Sequence, residues 1–181
     1  MISKRTRFLF SVLLLLLVTL FSCVKKSQDI KKKKDNTAEN NRLIALGDKY
    51  DETEKRDSAY YYYNKAKSIC DVKKDSRKIV SMLCNMANIQ YMYGDYSGSE
   101  TTAIEAFPIL EKTKNPKYKW NIYIILALNY LETLDYDNSI YYNKKALNLK
   151  IDRDREICTK NNIAFVYMEM HDYQRAIVSA P

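Results

Sequence analysis

The stretch Leu43 to Ala66, LIALGDKYDETEKRDSAYYYYNKA, decides the fold. Small residues (Gly47, Ala59, Ala66) alternate with bulky ones (Leu43, Leu46, Tyr50, Tyr63) on both sides of a polar turn, Thr53 to Asp57. Apolar positions three and four apart place one apolar face on each side of the turn. The stretch therefore predicts two short helices folded back on each other, crossing closely where the side chains are smallest. Successive helical residues turn by about 100°, so Tyr60 to Tyr63 cannot all be core. Tyr63 should face inward beside Ala59 and Ala66, with Tyr61 and Tyr62 more exposed.

Edited copies follow. The second has Leu83, Met86-Ala87, Tyr91, Gly94-Asp95-Tyr96, Ser99, Ala103 and Ala106; the third has Tyr123, Leu126-Ala127, Tyr130, Leu134-Asp135-Tyr136, Ser139, Asn143 and Ala146. A fourth begins with Ile163-Ala164, Tyr167, His171-Asp172-Tyr173 and Ala176. The small residue recurs at Gly47, Ala87, Ala127 and Ala164, in steps of 40, 40 and 37. This order of residue types resembles the tetratricopeptide repeat (TPR), a bulky-small pair and an aromatic followed by Ala, an aromatic and Ala, with a usual unit of ~34 residues. The longer steps here fit longer connections at Asp71 to Lys78 and Glu111 to Lys119. The resemblance implies an all-α protein, an α-solenoid of antiparallel helix pairs wound as a right-handed superhelix. Its domain would cover 40–181, with repeats at about 40–73, 80–113 and 120–153 and an incomplete one at 157–181.

Local signals place the helix ends. Asp95, Asp135 and Asp172 each precede a second helix, where a carboxylate accepts from exposed first-turn N–H groups. The first unit has its Asp later, at Asp57, so that turn is expected to be built differently. Pro108 removes the donor to Ile104 and crowds its carbonyl, which should bend or end the helix there. Asn115-Pro116 marks the next helix start. The last unit offers only about two turns of second helix, leaving Ile163, Phe165, Val166 and Ile177 as an expected open face. On this reading the chain is a truncated product or the front end of something longer.

The net charge of +8 invites a nucleic-acid reading, but it is concentrated at the start. Lys4, Arg5 and Arg7 contribute +3, and the segment from Lys25 to Glu39 another +3, leaving +2 over the repeats. No basic stripe of domain scale results, and no nucleic-acid partner is expected.

Residues 1–22 read as a signal peptide or membrane anchor. A basic start precedes an apolar run from Phe8 to Phe21, shorter than the ~20 residues of a membrane span. Leu20-Phe21-Ser22-Cys23 resembles the bacterial lipobox. That resemblance implies acylation of Cys23 and a lipoprotein of the bacterial envelope, facing the periplasm from the outer membrane. The alternative is an uncleaved inner-membrane signal anchor from Phe8 to Val24. Residues 23–39, rich in Lys, Asn and Gln, read as a flexible basic linker.

A catalytic constellation cannot be assembled. The single histidine, His171, stands where the second unit has its turn residue Gly94. Cys70, Cys84 and Cys158 have no C-x-x-C spacing and no His partner, which removes zinc and redox readings. No Gly-rich phosphate loop or G-x-S-x-G occurs. Neither metal, cofactor nor enzyme activity is expected.

The TPR resemblance instead implies a peptide groove lined by the first helices. The matching residues are Ile44, Asp48, Asp51 and Glu52; Cys84, Asn88, Tyr91 and Met92; Ile124, Leu128, Leu131 and Glu132; and Asn161, Phe165, Met168 and Glu169. Such a groove is apolar with an acidic edge and suits a protein or peptide partner with apolar and basic residues. The expected function is a non-catalytic interaction scaffold anchored to an envelope membrane. The alternative is the sensory segment of a longer regulator, since the chain also looks like the N-terminal repeats of bacterial proteins with a histidine-kinase or helix-turn-helix output module.

Overall fold

The computed structural model describes residues 36–113 and 115–181, and all regular structure among them is helical. By internal packing the chain divides into Met1–Arg42 and Leu43–Pro181. In the first unit residues 36–42 are helical, with Arg42 paired to Glu39 at 3.4 Å. Helix therefore already occupies 36–39, where a flexible linker was expected. Asn36-Thr37-Ala38-Glu39 has no Gly or Pro to stop it. The expected signal segment and Cys23 lie outside the described residues. No described helix is long and apolar enough to cross a membrane.

The second unit contains α1 (43–52), α2 (Arg56–Ser68), α3 (Ser76–Met92), α4 (Tyr96–Glu105), α5 (Phe107–Thr113), α6 (Pro116–Glu132), α7 (Tyr136–Leu147), α8 (Arg153–Glu169) and α9 (Tyr173–Ser179). Helices α3 and α4, α6 and α7, and α8 and α9 pack as sequential pairs, and α2–α3, α4–α6 and α7–α8 contacts join one pair to the next. Pro108 has the predicted effect: α4 ends at Glu105 and α5 starts at Phe107. Asn115 caps α6 by accepting from Lys117 N–H at 3.0 Å, and Asp152 caps α8 by accepting from Arg155 N–H at 2.9 Å.

Within each pair the connecting turn is the same. Glu54, Gly94, Leu134 and His171 all take left-handed backbone conformations, with φ of 58°, 76°, 62° and 59°. The N–H of each donates to the carbonyl three residues back, at Asp51, Tyr91, Leu131 and Met168. The following N–H donates to Tyr50, Gln90, Tyr130 and Tyr167. These bonds satisfy helix-end carbonyls that would otherwise be orphaned. His171 is thus a turn residue, as its alignment with Gly94 predicts.

The caps follow the sequence too. Asp95, Asp135 and Asp172 accept from the backbone N–H of Gly98, Asn138 and Arg175 at 3.0, 3.2 and 3.0 Å. In the first pair the expectation of a different turn is corrected in part. Its backbone matches the others, and what differs is Lys55 at the cap position, with no side-chain cap bond. An ammonium cannot accept from an N–H.

Tyr63, Ala59 and Ala66 are buried, as their spacing predicts, and Tyr61 is exposed. A buried polar ladder runs within pairs, through Ser99 and Ser139, and between pairs, through Asn129. Ser99 Oγ donates to the Ala87 carbonyl at 2.7 Å, Ser139 Oγ to the Ala127 carbonyl at 2.8 Å, and Asn129 Nδ2 to Ser99 Oγ at 2.9 Å. Apolar burial falls into two clusters. One runs from Leu43 to Leu126, and the other joins Ile140, Ile163, Val166, Tyr167 and Ala176. Each fully buried Leu, Ile or Val contributes roughly 1.5–3 kcal/mol. The expected open face on the last pair needs correction. Ile163 and Val166 are buried because α7 and α9 cover that side of α8, whereas Phe165 and Ile177 are exposed.

Candidate functional site

The first helices α1, α3, α6 and α8 carry the residues expected to line a groove, and burial sorts them. Asp48, Asn88, Met92, Phe165 and Met168 are exposed, while Ile44, Tyr91, Leu128 and Leu131 are half-buried. Ile124 is buried, as is Cys84, so these two have little surface to give a partner. Ile44 packs against the first apolar cluster and Leu131 against the second. The half-buried positions therefore also hold the pairs together.

Polar contacts fix several of these side chains. Tyr63 Oη donates to Asp48 Oδ1 at 2.9 Å, and burial followed by the Asp48 carboxylate pushes the Tyr63 phenol well up. Tyr91 Oη donates to Glu132 Oε1 at 3.1 Å, and Tyr96 Oη to Glu132 Oε2 at 3.3 Å. Burial, then Glu132, raises the Tyr91 phenol to about 12. Tyr130 Oη donates to Glu100. The Tyr91, Tyr96 and Tyr130 contacts couple one helix pair to the next, whereas Tyr63–Asp48 joins α1 to α2 within the first pair, so Tyr91 belongs to the scaffold as much as to the surface. Asn88 Nδ2 lies 3.7 Å from Met92 Sδ, which orients both on the exposed face.

A hollow of about 200 Å³ opens where α1, α3 and α6 meet, lined by Ile44, Asp48, Tyr63, Arg77, Lys78 and Asn85 among others. Arg77 and Lys78 alter the acidic edge expected from the first helices alone. They come from the first turn of α3, which the TPR-matched positions do not include. The face is thus mixed in charge at the α1 end and apolar toward α8, with Leu128, Phe165 and Met168.

Sequence matching also misplaced one residue. Tyr91 was aligned with Tyr50, yet the turn hydrogen bonds put Gln90 at that position. In place of an aromatic stack, Gln90 Oε1 accepts from Thr102 Oγ1 at 2.6 Å and its Nε2 donates to Asp95 Oδ2 at 3.3 Å. The first and third pairs keep the aromatic stack, Tyr50 on Tyr62 at 5.3 Å and Tyr130 on Tyr142 at 5.6 Å between centroids.

Among the described residues no group of three or more His, Cys, Asp or Glu is placed to hold a metal ion. Cys84 is buried, which pushes its thiol up to about 12. Such a thiol is a poor nucleophile, since the thiolate is the reactive form.

The fold and this face define an all-α protein of stacked helix pairs. No family model matches the chain, and no curated protein does. Among solved structures it resembles BtubC (BKLC) from P. vanneervenii, with a TM-score of 0.69 and 20% identity. The match covers 77% of this chain but 59% of BtubC, and at this identity the likeness is one of fold.

Proposed function

We propose that this chain is a non-catalytic scaffold of TPR type, an α-solenoid whose first-helix face grips another polypeptide. The observation that carries the reading is the fourfold recurrence of one turn, with left-handed Glu54, Gly94, Leu134 and His171 in matching hydrogen bonds. Repeated pairs that bury each other's apolar faces create an extended surface rather than an enclosed pocket. The partner segment, helical or extended, carries apolar anchors for Met92, Leu128, Phe165 and Met168, and basic groups for Asp48 and Glu132. Acyl chains on Cys23 hold the scaffold on the bacterial envelope, at about 0.8 kcal/mol per buried methylene.

Two experiments test this. Affinity capture from bacterial envelope extracts should recover a partner with the wild type and lose it with Met92→Glu plus Phe165→Glu, both at exposed positions. Retention of the same partner by the double variant would remove the first-helix face from the account. Metabolic labelling with a fatty-acid analogue should mark the wild type and not Cys23→Ala. Absence of label in the wild type would end the lipoprotein reading without touching the scaffold.

A further inference from the structure

At the position where α3 has Ile89 and α8 has Val166, both buried, α6 has Asn129, which is buried as well. Its Nδ2 donates to Ser99 Oγ of α4 at 2.9 Å, and Ser99 Oγ itself donates to the Ala87 carbonyl at 2.7 Å. Among the described residues nothing donates to Asn129 Oδ1. Ser139 repeats the place of Ser99 one unit later, bonding the Ala127 carbonyl at 2.8 Å, yet α8 sets Val166 at the Asn129 position. The chain thus uses a side-chain amide at one joint between pairs where it uses apolar residues at the other two.

That joint is the one with the least apolar relief. The buried residues of α4 are Ser99, Thr102 and Ala103, whereas α2 buries Tyr63 and α7 buries Ile140. Helix α4 also ends at Glu105, and the contact of Phe107 with Tyr123, 6.2 Å between centroids, comes from α5 beyond the break. Small side chains define the register of two helices poorly, because ridges seated in grooves are what fix it. The surface bonds across this joint, Tyr130 to Glu100 and Tyr91 and Tyr96 to Glu132, end on long carboxylate side chains able to follow a shift. The bond from Asn129 to Ser99 is short-armed and buried. A shift of one turn, about 5.4 Å, toward the C-terminal end of α4 would face the amide with Ala103, which is apolar and fully buried. A buried amide without a partner is strongly disfavoured.

We propose that Asn129 is a positioning residue, a polar key that holds the third helix pair in one seat on the second. A single buried Asn fixes register in coiled coils in the same way, at a cost in stability. The proposal needs no partner; under the scaffold reading, the key sets the spacing between Met92 on α3 and Leu128 on α6. Its test counts seats rather than stability alone, by amide spectra and relaxation dispersion of isotope-labelled full-length chain in a neutral detergent. In the wild type a second seat should hold no more than about 1% of molecules. In Asn129→Val that population should rise roughly tenfold, the ratio for one buried hydrogen bond, with exchange spread over α6 to α9. Ser99→Ala removes the acceptor without altering α6 and should do the same, which keeps the test decisive if Asn129→Val fails to fold. Ser139→Ala, at the matching place opposite Val166, should leave exchange at the wild-type level. A single seat in Ser99→Ala and in folded Asn129→Val, with only a lowered urea midpoint, would make Asn129 an ordinary stabilising contact and overturn the proposal. Equal exchange in Ser139→Ala would overturn it too, while envelope capture by the wild type decides the scaffold reading separately.

Discussion

The Tyr63 ring lies directly over Gly47, so that a Cβ built on Gly47 would come within 2.5 Å of Tyr63 Cε1. Helices α1 and α2 cross at this point, and Tyr63 is anchored there by its bond to Asp48. On helix propensity alone, Gly47→Ala should gain about 1 kcal/mol. The clash reverses the sign, because over-packing a tight core costs roughly 1–3 kcal/mol. Gly47→Ala should therefore lower the urea midpoint, and Gly47→Ala with Tyr63→Leu should recover part of the loss. An unchanged or higher midpoint for the single variant would show that the crossing is looser than described.

Lys55 is the one cap position among the four turns that has no carboxylate. Lys55→Asp should let the side chain accept from a first-turn N–H of α2, as Asp95 does for α4. Such caps contribute about 1 kcal/mol. Thermal melting should rise, and Lys55→Asn should give much of the same gain. No gain from either would mean that Lys55 makes compensating contacts.

Leu134 holds a left-handed conformation at φ 62° with its side chain 69% exposed. That conformation costs an L-residue roughly 1–2 kcal/mol, and glycine avoids the cost. Leu134→Gly should raise stability by about 1 kcal/mol, measured by chemical denaturation. The reciprocal change, Gly94→Leu, should lower it.

Alkaline pH should unfold this protein early. Burial holds Tyr91 up at about 12 against an ordinary 10.0, and Cys84 at about 12 against 9.0. Tyr63 and Tyr130 are also raised, by burial first and then by Asp48 and Glu100. A raised folded pKa means that the unfolded chain gives up these protons first. Their stabilisation is complete below about pH 8, declines as the unfolded thiol and phenols ionise, and for Tyr91 and Cys84 is lost as pH rises through about 12. Denaturant midpoints should fall between about pH 8 and about pH 11, less so in Tyr63→Phe/Tyr130→Phe. A flat midpoint over that window would contradict the burial of these phenols.

Much of the architecture was legible in the sequence because short-range chemistry dictates it. Asp95, Asp135 and Asp172 are caps, Pro108 interrupts a helix, and Tyr63 sits among Ala59 and Ala66, all from spacing within one or two turns. The errors arose where another helix decides the outcome. Cys84 and Ile124 match exposed positions of the repeat, yet both are buried. Ile163 and Val166 looked open from α8 alone and are covered by α7 and α9. Gln90 escaped notice because Tyr91 next to it satisfied the expected residue type.

The split of apolar packing into two clusters, one ending at Leu126 and the other starting at Ile140, bears on how the molecule comes apart under load. Tension applied at Pro181 would peel α9 and α8 away while the larger cluster still holds. Backbone amides beyond Ile140 should accordingly exchange with solvent through partial openings at lower free energy than those around Leu83 and Met86. A partner that clasps Phe165 and Met168 would close this weaker end and act as a clamp against unravelling.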